Sequence, residues 1–198
     1  MQKEEATQTE QSNVLGIIGG SSLLKSKYFV HIALSIIVTS FGKVKLYIGK
    51  GFVFCQRHEA DPDIEYSPPH LINKRAIVAA FEKLNVKRIV AFASVGSLKR
   101  DLVPGTIVFP DDFFNIFDIV SYHDDRRAHF VPSLESSKLR KEILELLVGK
   151  HFELQDYGVY CQTSGPRFET KSEIRFLGQQ GHIVGKILVY ISQRKVKS

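Results

Sequence analysis

Short apolar runs ending in glycine or small polar residues alternate along this chain with longer stretches whose apolar positions recur at helical spacing. The first pattern predicts strands and the second amphipathic helices. Val14–Ile18 is the first strand and ends in Gly19-Gly20-Ser21-Ser22. The apolar run Phe29–Thr39, which contains His31, reads as a core strand, and Lys43–Ile48 and Gly51–Cys55 read as two more separated by a glycine turn. Proline and acidic residues mark a loop over Glu59–Pro69. Ile72–Leu84 has Ile77, Phe81 and Leu84 on one side, a helix with one buried face that Asn85 ends. Arg88–Ala93 is a continuous apolar strand entering Ser94-Val95-Gly96-Ser97, and Pro104-Gly105 introduces another over Thr106–Phe109. Ser133 can cap a helix running through Val148, with Leu139, Ile143, Leu146 and Leu147 facing inward. Tyr157–Cys161 returns as strand, Thr170–Leu177 as helix, and His182–Ile191 is apolar and β-branched.

This alternation predicts an α/β domain with a mixed, mostly parallel central sheet flanked by helices. The expected domain covers residues 14–198, and the polar, aperiodic residues 1–13 read as a flexible arm. In such sheets ligands gather at the carboxyl ends of the strands. Three loops are expected there: Gly19–Ser22, Ser94–Ser97 and Thr163–Phe168.

Composition changes this picture little. The chain has 198 residues, enough for one real core, with 43% hydrophobic and 24% charged positions as in soluble globular proteins. The net charge of +6 is spread out, apart from a cluster of Lys186, Arg194, Lys195 and Lys197. A basic stripe with interleaved aromatics is missing, so no nucleic-acid partner is expected, and the excess suits small anionic ligands. The run Phe29–Thr39 is too short to span a bilayer and too far in, behind an acidic polar start, for a signal peptide, so no membrane partner is expected. Cys55 and Cys161 form neither a metal-ligand pattern nor a disulfide framework, which predicts buried thiols in a reducing, cytoplasmic setting.

The candidate chemistry sits in the predicted loops. Gly19-Gly20-Ser21 can turn backbone N–H groups and a hydroxyl toward an anion, or can be only a tight turn. The lysine of a P-loop is not at its spacing. Arg57-His58 follows a strand, where a guanidinium can pair with phosphate oxygens and an imidazole can add a donor; a surface arginine beside a core-satisfied histidine is the plainer alternative. Ser94 and Gly96 offer small side chains and backbone donors at the end of a buried strand, or merely a close-packed turn. In Gly165-Pro166-Arg167-Phe168-Glu169-Thr170, glycine and proline fix a turn, Arg167 supplies a planar cation and Phe168 a flat apolar surface. Thr170 with Glu173 reads as a capping box. Such a loop can hold an aromatic ring over a flat ligand, or be an ordinary strand-to-helix turn.

Several segments stand in an order that resembles one family. They are Gly16-Ile17-Ile18-Gly19-Gly20-Ser21, Arg57-His58, Pro69-His70-Leu71-Ile72-Asn73 with Arg75-Ala76, and Val95-Gly96-Ser97-Leu98 through Asp101-Leu102 and Pro104-Gly105. Gly165 to Thr170 with Glu173-Ile174 completes the set. From Val14 to Gly185 the chain resembles the nucleoside phosphorylases of the trimeric purine class, specifically the methylthioadenosine phosphorylase branch. The resemblance implies a phosphorylase-type fold and reversible phosphorolysis, in which phosphate attacks the ribosyl C1′ and the purine leaves. It implies 5′-methylthioadenosine or a similar purine nucleoside as partner, inorganic phosphate as co-substrate, no metal or organic cofactor, and a homotrimer. By similarity Ser21, Arg57, His58, Ala93 and Ser94 line the phosphate site. Phe168 packs on the purine or ribose side, Glu169 lies where the family tunes substrate preference, and Val95, Gly96 and Lys186 fall among the substrate-side positions.

The chain also departs from the family. After Val184-Gly185 the family has a methionine that packs on the ribose and a threonine that contacts phosphate, whereas Lys186 and Ile187 stand here. The chain then runs through Leu188 to Ser198 without matching the family's next strand and loop, its purine-binding aspartate, or its closing helix. No acid for the leaving base is assigned, and reduced activity is the expectation. A non-catalytic phosphorylase-like binding or oligomerisation partner, or a truncated gene product, are the alternatives. Glu59 replaces a glycine, and Asp61, Asp63 and Glu65 replace a basic loop, which should weaken anion affinity. Ser164 stands where many relatives carry glutamate or glutamine, and Ser22–Gly42 matches poorly.

Overall fold

The computed structural model describes residues 14–23, 26–29, 31–116, 119–120 and 138–186. Their contacts divide the chain into two compact units, one built from the residues up to Ser94 and one from Val95–Ile119 together with the later residues up to Lys186.

In the first unit, β1 (Leu15–Gly19) lies between β4 (Phe52–Gln56) and β5 (Arg88–Ala91) and runs parallel to both. β2 (Ala33–Thr39) and β3 (Gly42–Gly49) add antiparallel, giving the order β2-β3-β4-β1-β5. Helix α1 (Lys74–Lys83) starts where the Asn73 side chain accepts from the Ala76 N–H at 3.0 Å and packs near β2 and β3. It stops at Asn85, whose φ of 55° leaves the helical region. Ala76 through Phe81 are all buried, so this helix is enclosed around its circumference and not on one face as its spacing predicts. Three alanines in that stretch make so close an approach possible. Phe81 joins Leu46, Val44, Val53 and Cys55 among the buried apolar side chains of the unit. Burying a side chain the size of Phe81 contributes about 2–3 kcal/mol.

Two expectations for this unit are corrected. The run Phe29–Thr39 is not one core strand: Lys27–Phe29 forms a 3-10 turn, the strand begins at Ala33, and Leu34, Ile36 and Val38 are more than half exposed. These three residues alternate along the strand and so share one face of β2, which none of the described residues buries, and β3 is the one strand beside β2 among the described residues. Likewise β5 is not a buried strand, since among the described residues β1 alone flanks it, and Ala91, Phe92 and Ser94 are exposed.

In the second unit, β10 (Val159–Gln162) is parallel to β8 (Asp112–Phe114) and to β11 (Ile183–Gly185), while β6 (Gly96–Ser97) is antiparallel to β11. β7 (Ile107–Val108) and β9 (Leu154–Gln155) form a separate parallel pair. Helix α3 (Lys171–Gln180) makes the crossover from β10 to β11 that parallel pairing requires. Its Leu177 packs with Cys161 and Val184, and Leu98 and Phe114 close over them. Both cysteines are buried and free, as composition predicts.

Helix α2 (Lys138–Leu147) overturns part of its predicted inner face. Leu146 is 71% exposed, whereas Arg140 is buried. Its guanidinium donates to the carbonyl oxygens of Phe109 at 2.8 Å, of Pro110 at 2.7 Å, and of Asp156, and lies 4.8 Å from the Phe109 ring centre. An Arg140→Met protein should lose about 2 kcal/mol of unfolding free energy, because three partly buried carbonyls lose a charged donor held by a buried side chain. A lower urea midpoint measures it; an unchanged midpoint contradicts the assigned role. The expected cap at Ser133 and the strand residues after Lys186 lie outside the described residues.

Candidate functional site

Parallel pairing places the carboxyl ends of β1, β4 and β5 side by side, with Gly19 opposite Gln56 and Ile18 opposite Ala91. The residues leaving those ends are Gly20-Ser21, Arg57-His58 and Phe92-Ala93-Ser94. Direct contacts tie the three bends together. Arg57 Nη1 donates to the Phe92 carbonyl at 3.4 Å, and buried Gln56 Nε2 donates to the Gly20 carbonyl at 3.2 Å. Gly20 leaves room for the guanidinium, because a Cβ there would stand 2.5 Å from Arg57 Nη1 and push it aside. Ser21 begins a 3-10 turn directly after this contact. The structure therefore brings together the strand ends that carry Ser21, Arg57, His58, Ala93 and Ser94, and Arg57 is buried there, against the alternative of a surface arginine.

His58 is also buried, and both its backbone and its ring are tied to the following loop. Its carbonyl accepts from the Ser67 N–H at 2.6 Å, its Nδ1 lies 2.9 Å from the Ser67 carbonyl, and its ring stacks on Tyr66 at 5.0 Å between centroids. A carbonyl only accepts, so Nδ1 carries the hydrogen. Burial lowers the His58 pKa, with the Ser67 carbonyl opposing and Arg57 adding to the effect. The neutral ring then holds its lone pair on Nε2, a nitrogen that can accept a hydrogen bond and cannot donate one.

The second unit carries the other candidates. Gly96 lies in β6 against Val184 of β11, and the Val95 side chain packs beside Gly185. Beyond β10, the Thr163 N–H donates to the Gly185 carbonyl at 2.8 Å and the Thr163 hydroxyl donates to Glu169 Oε1 at 2.7 Å, fixing the half-buried Glu169 carboxylate. Gly165 has φ 89° and the Gly165-Pro166 bond is cis. Phe168 is 88% exposed, with Lys186 Nζ 4.6 Å from its ring centre.

Arg167 is not held out as a cation for a ligand. Its two terminal nitrogens donate to the two oxygens of Glu173 at 2.8 Å each. Glu173 Oε2 also accepts from the Thr170 N–H at 2.6 Å, and Thr170 Oγ1 accepts from the Glu173 N–H at 3.3 Å, which completes the predicted capping box. The Arg167 hydrogen bonds, followed by that from the Thr170 backbone, push the Glu173 carboxyl down from 4.5 to about 2. A depressed folded-state pKa means a contribution present above the unfolded value and lost as pH falls through the folded one. The difference in Tm between wild type and Glu173→Gln should thus be constant above about pH 5 and shrink toward pH 2. A difference independent of pH would show that the carboxylate charge is not what holds this loop.

Sequence reasoning missed Gln56, for which its place at a strand end next to Arg57-His58 was the available signal, and Tyr66-Ser67, which sit in a loop marked by proline and acidic residues. No group of three or more His, Cys, Asp or Glu side chains that could hold a metal ion occurs among the described residues, and no described helix is long and apolar enough to cross a membrane.

A parallel rim that encloses an arginine against a glycine turn defines an α/β protein with a buried guanidinium at the carboxyl ends of its strands. The chain belongs to the phosphorylase superfamily, whose sequence profile matches residues 15–185. It is 32% identical over 178 residues to a probable 6-oxopurine nucleoside phosphorylase of Archaeoglobus fulgidus, covering 87% of this chain and 71% of the relative. It is 36% identical over 177 residues to a probable S-methyl-5′-thioinosine phosphorylase of Methanocaldococcus jannaschii, covering 87% and 68%. The solved methylthioadenosine phosphorylase from Schistosoma mansoni in complex with adenine superposes with a TM-score of 0.71 at 25% identity, covering 89% of this chain and 74% of that one.

Proposed function

We propose that this protein catalyses the phosphorolysis of a purine nucleoside, with a 5′-methylthio nucleoside as the substrate. The observation that carries this reading is the rim where Arg57 meets both Gly20 and the Phe92 carbonyl, within a chain of the phosphorylase superfamily. The relatives named for methylthioinosine and methylthioadenosine support the 5′ substituent. In the reaction a phosphate oxygen forms a bond to C1′ while the bond from C1′ to the purine nitrogen breaks. The electron pair leaves with the base, which takes up a proton. The products are the free purine and 5-methylthioribose 1-phosphate.

Arg57 supplies a fixed positive charge to the phosphate, with Ser21, Ala93 and Ser94 lining its site. His58 accepts the hydroxyl of hydrogenphosphate through Nε2, its other nitrogen being held by Ser67. By resemblance, Phe168, Glu169, Val95, Gly96 and Lys186 of the second unit are the candidate nucleoside-binding residues. No residue is assigned as the acid for the leaving base. Inorganic phosphate is the only co-substrate and no metal or organic cofactor takes part. Buried free thiols at Cys55 and Cys161 suit a reducing cytoplasm, and a homotrimer is the assembly carried over by resemblance.

The test is release of free base from methylthioadenosine, methylthioinosine and inosine, with and without phosphate. Release that requires phosphate and is fastest from a methylthio nucleoside supports the reading. Absence of phosphate-dependent release from all three contradicts it.

A further inference from the structure

We propose that Lys186 is a positioning residue for the purine: its ammonium holds the exposed ring of Phe168 in place and adds positive charge beside the stacking surface. This rests on the purine-nucleoside reading above and extends it to the cation beside Phe168.

The geometry is specific. Lys186 Nζ donates to the Arg167 carbonyl at 2.8 Å while lying 4.6 Å from the Phe168 ring centre, so one ammonium grips the backbone before the ring and the ring itself. The adjoining backbone is anchored on both sides. Arg167 is bound to Glu173 at the start of α3, and Glu169 is bound to Thr163, whose N–H in turn meets the Gly185 carbonyl next to Lys186. The Phe168 ring itself is 88% exposed. A ring left in water would sample several rotamers, and each must be given up on binding a flat ligand. The cation restricts them beforehand. It occupies one region of the ring's surroundings and leaves the rest for stacking, and its charge favours a base that departs with an extra electron pair.

Lys186→Met keeps the apolar stem and removes the charge and the donor; Lys186→Arg keeps both. Equilibrium dialysis with free hypoxanthine and adenine reads purine affinity, steady-state kinetics reads KM for nucleoside and for phosphate separately, and hydrogen exchange reads the backbone from Gly165 to Glu169. The Met variant should bind purine roughly fivefold more weakly, the size of one partly exposed cation–ring contact with its accompanying hydrogen bond. Its nucleoside KM should rise in proportion, its phosphate KM should stay unchanged, and exchange at Phe168 should quicken. The Arg variant should restore all three. Wild-type affinity and wild-type exchange in Lys186→Met would overturn the proposal, as would an equal rise in the KM for phosphate. Wild-type protein lacking phosphate-dependent turnover would instead count against the proposed function, and the exchange measurement would still decide the role of Lys186.

Discussion

An Arg57→Met protein is expected to lose phosphate-dependent purine release by at least about 100-fold, the size seen when a preorganised charged donor is removed from a developing charge. Methionine retains the apolar length that fills the space beside Gly20 but offers no hydrogen to an anion. The loss should fall on kcat/KM for phosphate, while the affinity for free purine, bound through Phe168 and its neighbours, should be unchanged. Arg57→Lys should recover only part of it, because an ammonium cannot donate in parallel from two fixed nitrogens. Equal losses in phosphate and purine binding would mean that the substitution damages the fold and would remove the specific role.

The second large effect is expected from Gly20→Ala. A methyl group there would stand 2.5 Å from Arg57 Nη1 and 2.9 Å from its Nη2 and Cζ, so the guanidinium must move. Moving it takes Nη1 away from the Phe92 carbonyl, now 3.4 Å distant, and so changes where the charge points without removing it. A loss of roughly 10-fold to 100-fold in phosphate-dependent turnover follows from such misplacement. The strands carry none of this strain, so Tm should change little. In a double-mutant cycle, Gly20→Ala should add almost nothing once Arg57 is methionine. Additive losses would show that the glycine acts on something other than this arginine.

Much of this arrangement is legible in the sequence because it depends on local chemistry. Glycines after an apolar run, an Arg-His pair after another, and small residues after a third identify strand ends, and parallel pairing of β1 with β4 and β5 does the rest. The capping box at Thr170 and Glu173 is local in the same sense, involving four consecutive residues. What sequence could not supply depends on who the neighbours are. The apolar run in β2 reads as that of a core strand, and only what packs on each face decides that Leu34, Ile36 and Val38 are left exposed. Arg140 looks like a solvent-facing helix residue until three carbonyls from two distant segments converge on it. The ring of His58 is committed to Ser67 and Tyr66, nine and eight positions on, by the course of a loop that no local pattern specifies. Lys186 and Phe168 lie 18 positions apart and meet because β11 returns beside β10.

The relation between the rim and an anion can be measured without any turnover. Titrating inorganic phosphate into the wild-type protein by isothermal calorimetry, with Arg57→Met as the paired sample, should give saturable one-site binding in the first and none over the same range in the second. Identical isotherms from the two proteins, or no binding to the wild type, would contradict a phosphate site at the ends of β1, β4 and β5.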